Sequence, residues 1–154
     1  MRPLSDKEIV DAFRPAERKS LLMPPPPNWE QLDFLGWTHR SGHLGFIVRE
    51  TENGLVGMTL QRNVIRTAGF RRFMCDICCT VHDQGGVASF TKWDRDKCRA
   101  RTRMVCADLA CSLYARNLRK NSADQMPETL DRQQKIDRVN RNIGQLLQYW
   151  SFRT

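Results

Sequence analysis

Four cysteines in two pairs hold the most specific chemistry in this sequence: Cys75-Asp76-Ile77-Cys78 and Cys106-Ala107-Asp108-Leu109-Ala110-Cys111. Thiolates are favoured ligands of zinc, which takes four of them in a tetrahedron. Two residues between Cys75 and Cys78 let one tight turn aim both sulfurs at the same ion. Cys106 and Cys111 are spaced more widely and lead into Ser112-Leu113-Tyr114-Ala115-Arg116-Asn117-Leu118, which reads as a helix. Four thiolates leave zinc no open position for a catalytic water, so the expected role of the ion is structural. Four thiolates also accept iron, and that alternative stays open at this point.

Six cysteines could instead form three disulfides, which would require a secreted protein. The segment Met1 to Phe13 is charged and has no apolar signal core. No stretch approaches the roughly 20 apolar residues that span a bilayer. The expectation is a cytoplasmic protein, with no membrane partner, whose cysteines are reduced or metal-bound. Cys79 directly follows Cys78, so the two side chains do not aim at one ion together; Cys79 is the runner-up ligand and His82 the next. Cys98 reads as a small buried hydrophobe. His39 and His43 flank Ser41-Gly42, a turn signal, and read as ordinary polar residues.

The elements that must position the cysteines follow from pattern. Ser5-Asp6-Lys7-Glu8 fits a capping box at the start of a short helix. Pro24 to Pro27 then enforces an extended linker, so residues 1–27 read as an N-terminal helix with a Pro-rich connection and 28–154 as the main domain. Strands over Leu44 to Arg49 and Leu55 to Arg62 flank Asn53-Gly54, a strong hairpin signal. Phe46 and Val48 share one face there, and Val56, Met58 and Leu60 another. Between the cysteine pairs, Val87 to Trp93 and Lys97 to Met104 read as strands. Glu128 to Trp150 carries an apolar stripe of Ile136, Val139, Ile143, Leu146, Leu147 and Trp150 at helical spacing. A knuckle, a hairpin and a second cysteine pair at a helix start make an α+β treble-clef zinc finger with antiparallel hairpins, flanked by N- and C-terminal helices.

Charge supplies the functional reading. The 154 residues carry a net charge of +8, which calls for an acidic partner. Lys97, Arg99, Arg101 and Arg103 alternate with Cys98, Ala100, Thr102 and Met104, so one strand face is a cationic stripe and the other is expected to face the core. Like charges on one face repel, and retaining them suits an anionic partner. Phe90, Trp93 and Tyr114 either stack on a ligand or belong to the core. No glycine-rich phosphate loop, Gly-x-Ser-x-Gly elbow or deaminase His-x-Glu is present, and neither a small-molecule substrate nor an enzymatic activity is expected. A zinc-dependent RNA- or ribosome-binding module is the alternative to a protein-binding role.

The knuckle Phe-Met-Cys-Asp-Ile-Cys at 73–78, the strand Gly-Gly-Val-Ala-Ser-Phe at 85–90 and the run Val-Cys-Ala-Asp-Leu-Ala-Cys-Ser-Leu-Tyr-Ala-Arg-Asn-Leu-Arg at 105–119 resemble the C-terminal treble-clef domain of elongation factor G-binding proteins of the FusB type. The resemblance implies a zinc site at Cys75, Cys78, Cys106 and Cys111 and a non-enzymatic role. Members of this family bind elongation factor G and help it leave the ribosome, including when fusidic acid holds it there. The segment Met1 to Pro27 is shorter than the N-terminal helical part of the family's resistance proteins, which points to a housekeeping role in translation. On this basis Lys97, Arg99, Arg101 and Arg103 are expected to dock on carboxylates of the factor, with Tyr114 or Trp93 as aromatic anchors and a possible contact to ribosomal RNA.

Overall fold

The computed structural model describes residues 1–66, 71–94, 96, 98–124 and 126–152. A five-stranded antiparallel sheet dominates, with strands in the order β1-β2-β3-β6-β7: β1 (Leu35–Thr38), β2 (Leu44–Thr51), β3 (Gly54–Val64), β6 (Val87–Trp93) and β7 (Ala100–Cys106). Two two-residue strands, β4 (Phe73–Met74) and β5 (Val81–His82), pair on their own around the first cysteines. Among the described residues there are three α-helices, α1 (Asp6–Ala12), α2 (Cys111–Ala115) and α3 (Arg132–Trp150), and two single-turn 3-10 helices at Arg18–Ser20 and Trp29–Gln31.

The hairpin expected at Asn53-Gly54 forms. Thr51 pairs with Gly54, so Glu52 and Asn53 are the loop residues. Gly54 opens the returning strand at φ +103°, a left-handed conformation that favours glycine. Thr51 locks the turn by donating from Oγ1 to the Gly54 carbonyl (2.8 Å) and accepting from Asn53 N–H (3.3 Å).

Both faces of the sheet are covered over β1 to β3, which is why β2 is buried from Gly45 through Val48 without alternation. One face joins Leu35, Trp37, Phe46 and Val48 to Leu4, Ile9 and Phe13 of the N-terminal segment. The other joins Ile47, Met58, Leu60, Phe90 and Val105 to the four cysteines and to Val139, Ile143, Leu146, Leu147 and Trp150 of α3. Phe46 and Val48 therefore lie on the opposite side from Met58 and Leu60, as the pattern required.

Helix α1 starts at the expected capping box, with Ser5 Oγ accepting from Glu8 N–H and Glu8 Oε2 accepting from Ser5 N–H. It can approach β3 because Gly57 has no side chain. The linker follows the sheet: Trp37 Nε1 donates to Leu22 O (2.7 Å), and the Met1 ammonium donates to Leu32 O (2.7 Å). Between α1 and the linker, Glu17 accepts from Thr59 N–H (3.3 Å) and pairs with Lys92.

Two expectations about β7 are corrected. The strand begins at Ala100, and its Ala100 and Thr102 face is exposed, while Arg101, Arg103 and Val105 point to the side on which α3 packs. The arginine face is thus half-buried, because aromatic residues at the end of α3 lie against it. Cys98 precedes the strand in an exposed bend, with its N–H donating to Asp94 Oδ1 (3.0 Å), and is not a core residue. Lys97 lies outside the described residues.

A Cβ at position 57 would lie 2.8 Å from the Phe13 ring and 2.9 Å from the Ala12 backbone. Gly57→Val should therefore lift α1 and cost roughly 1–3 kcal/mol. Limited proteolysis should then cut the segment 1–27 before the remainder, and an unaltered digestion pattern would show that α1 does not depend on this contact.

Candidate metal centre

The zinc-binding turn is built by β4, β5 and the residues between them. Cys75 N–H donates to Thr80 O (3.0 Å) and Cys79 N–H to Cys75 O (2.9 Å), which curls Cys75 to Cys78 around one point. Cys79 adopts φ +60° to close this curl. The second pair comes from the end of β7 and the first turn of α2. Leu109, at φ +58°, reverses the chain between them, and its N–H donates to Cys106 O (2.9 Å).

These turns bring Cys75, Cys78, Cys106 and Cys111 together in the interior, with their sulfur atoms all within 4.8 Å of one another. Cys75 and Cys111 Sγ are 3.6 Å apart, and Cys78 and Cys106 Sγ 3.5 Å. A tetrahedron with zinc–sulfur bonds of about 2.3 Å needs sulfurs roughly 3.8 Å apart. The donor set therefore fits a structural zinc ion. The spare cysteines do not join it: Cys79 is half-buried outside the tetrad and Cys98 is exposed.

The surroundings suit thiolates. Cys75 Sγ accepts from Ile77 N–H (3.3 Å) and Cys106 N–H (3.4 Å), and Thr80 Oγ1 lies 3.2 Å from Cys78 Sγ. Hydrogen bonding from Cys106, then from Cys111 and Cys75, holds the Cys78 thiol well below its ordinary range. Burial, then its sulfur neighbours, pushes Cys111 up. That split is what four thiols in one dry site require: without a cation they cannot all ionise, and a divalent ion removes the conflict.

His82, which the sequence ranks behind the four cysteines and Cys79 as a ligand, stands against the tetrad. It is no fifth ligand. Its buried ring sets Nε2 3.3 Å from Cys106 Sγ, where the Nε2–H tautomer donates to the sulfur. Burial lowers the imidazole's affinity for a second proton. The ring meets Tyr114 edge-on at 4.9 Å, and a Cβ at position 86 would lie 2.5 Å from the His82 Cβ, so Gly86 is required beside it. A histidine sharing a short strand with a knuckle is the signal that sequence offers for such an outer contact.

Helix α3 also serves the centre. Arg138 Nη2 donates to Cys78 O (2.6 Å) and Asn142 Nδ2 to Ile77 O (2.9 Å), so two polar side chains of the helix hold the knuckle backbone. Asp76 accepts Met104 N–H at Oδ2 (3.0 Å) and donates its own N–H to Met104 O (2.8 Å), tying the knuckle to β7. Helix α2 is shorter than expected. It stops at Ala115 because Asn117 turns left-handed at φ +56°, and Leu118 N–H closes on Leu113 O (2.9 Å) in a Schellman arrangement.

The other residues singled out for partner contact are placed as follows. Arg103 lies 3.9 Å from the Tyr149 ring centroid and Arg101 4.5 Å from that of Phe152. Arg101 also donates to Tyr149 O, while Trp150 Nε1 donates to Arg101 O (3.1 Å). Arg99 extends outward and pairs with Asp94 (3.0 Å). Phe90 is core, and Tyr114 is partly buried with its hydroxyl donating to Asp108 Oδ2 (2.9 Å). Trp93 is 45% exposed, its Nε1 donating to Gln61 Oε1. The histidines at 39 and 43 stand beside a turn, where His39 Nδ1 bonds Ser41 Oγ (2.8 Å).

Removal of zinc by a chelator, or Cys106→Ser, should cost about 3 kcal/mol or more, read as melting lowered by roughly 6–12 °C. A metal-free Cys106→Ser protein with unchanged melting would contradict the structural role. His82→Phe keeps the ring contact with Tyr114 but loses the N–H donor. It should weaken zinc binding on the order of tenfold in a competition titration against a chromophoric chelator. Equal affinity would reduce His82 to packing.

Comparison with known proteins adds the family. No curated protein matches the sequence. A solved structure similar to the chain is that of the fusidic acid resistance protein FusC, at 15% identity and a TM-score of 0.49. The similarity covers 73% of this chain and 52% of that one, so the chain spans about half the length of this neighbour. Residues 7–149 match the FBP C-terminal treble-clef zinc-finger, and with the four-cysteine centre in place the chain belongs to that family.

Proposed function

We propose that the protein is a non-enzymatic binding module that engages elongation factor G and modulates its release from the ribosome, in the housekeeping role that the sequence points to. The observation that carries this reading is the arginine ladder on β7. Tyr149 and Phe152 stack against Arg101 and Arg103, which fixes the guanidinium planes while both arginines stay partly exposed. Arg99 continues the ladder into solvent. Held in place by a strand whose other end ligates the metal, these groups form a pre-organised cationic surface. Pre-organisation lowers the entropy lost on binding an acidic partner. A tetrathiolate zinc is coordinatively closed, which agrees with a binding role rather than a catalytic one.

Calorimetry with nuclease-treated, zinc-loaded protein and purified elongation factor G tests the proposal. Stoichiometric binding in the absence of RNA is expected. The double variant Arg99→Glu, Arg103→Glu should bind at least about tenfold more weakly and with a shallower salt dependence. Absent binding of the wild-type protein, with retained affinity for ribosomal RNA falling linearly in log salt, would transfer the function to RNA recognition.

A further inference from the structure

The arginine ladder is not the only cationic feature near the metal. At the opposite end of α3, a cavity of about 150 Å³ opens between the zinc knuckle, the chain after α2 and the first turns of α3, and polar atoms dominate its wall. Arg119, Lys135 and Arg138 line it against a single carboxylate, Glu128. Glu128 is committed to Arg138 (2.8 Å). Arg119 uses its Nε on Asp108 (3.3 Å). Lys135 forms no ion pair among the described residues, and the Arg138 Nε is buried with no hydrogen-bond partner. Clustered cations with one incomplete donor and one unneutralised ammonium are held at a cost that an incoming anion would relieve.

The rim indicates what that anion belongs to. Met126, which lines the opening, is 88% exposed, and Leu118, between the lining residues Asn117 and Arg119, is 50% exposed. A polar cationic pocket bordered by exposed Met and Leu has the anatomy of a protein–protein anchor. The carboxylate of Glu128 already inside makes a doubly charged phosphate less favourable than a singly charged carboxylate.

We infer that this cavity receives an acidic side chain of the protein partner, forming a second anchor about 20 Å from the arginine ladder along α3, given 1.5 Å per residue between Lys135 and Tyr149. The inference rests on the proposed binding of elongation factor G. Arg138 holds the knuckle and is left intact in the test. Lys135→Glu reverses the free charge, Met126→Asp alters the rim at a site too exposed to disturb folding, and Lys7→Glu makes the same charge change on α1, away from the cavity.

Each variant is loaded with zinc, checked for metal content and melting, and titrated into elongation factor G after nuclease treatment. The expected result is at least a tenfold loss for Lys135→Glu and a several-fold loss for Met126→Asp, with Lys7→Glu within twofold of wild type. Wild-type affinity in both cavity variants overturns the anchor and leaves the functional proposal standing. Equal losses in Lys135→Glu and Lys7→Glu assign the effect to net charge and also overturn it. No binding by the wild-type protein overturns the functional proposal and the anchor together.

Discussion

The rest of the structure depends on one constraint: four sulfur atoms from three separate turns and strand ends must meet within one tetrahedron. Zinc–thiolate bonding is strong enough to fix the knuckle between β4 and β5, the end of β7 and the start of α2 relative to one another, inside the apolar cluster they share with α3. Every neighbouring feature serves that convergence. Two left-handed non-glycine residues, Cys79 and Leu109, tolerate unfavourable backbone conformations to aim the cysteines. Arg138 and Asn142 then hold the knuckle's carbonyls from the helix packed above it.

The sheet contributes a second, independent organisation. Its two faces carry separate apolar clusters, and a polar bolt joins the layers near the chain's entry into β1. Asp33 accepts from Arg116 Nη2 (2.9 Å) and Asn140 Nδ2 (3.1 Å), while its own N–H donates to Ser112 Oγ (3.0 Å). The Arg116 and Asp33 side chains are almost wholly enclosed, so this pair specifies one docking of α2 and α3 against the segment before β1 more than it adds stability. The metal sets local geometry, and Asp33 sets how that geometry meets the sheet.

Much of this was legible in the residues. Asn53-Gly54 announced the hairpin, the α3 stripe held its buried residues Val139, Ile143, Leu146, Leu147 and Trp150 while its Ile136 stays half-buried, and the cysteine spacing picked the four that meet. What pattern could not supply was direction. Alternation along β7 separates two faces without saying which one is covered, and polarity suggested the wrong answer. Arg101 and Arg103 are long enough to lie flat on Tyr149 and Phe152, so they serve as the inner face while small Ala100 and Thr102 meet water. Cys98 erred for a related reason: the strand begins only after it. The role of His82 escaped because a hydrogen bond to a ligand's sulfur follows no fixed spacing. The length of α2 turned on a left-handed asparagine, which helical periodicity does not register.

The contact between Asp76 and Met104 has a consequence for the metal-free protein. Strand β7 lies at the border of the sheet, where main-chain groups not paired with β6 would face outward. Asp76 satisfies both the N–H and the carbonyl of Met104 from a turn that exists because two cysteines grip the ion, and Cys106 N–H is directed to the Cys75 sulfur. Zinc therefore holds a lid over an otherwise sticky strand border. When the ion leaves, that border becomes a template for another chain, and self-association competes with rebinding of the metal.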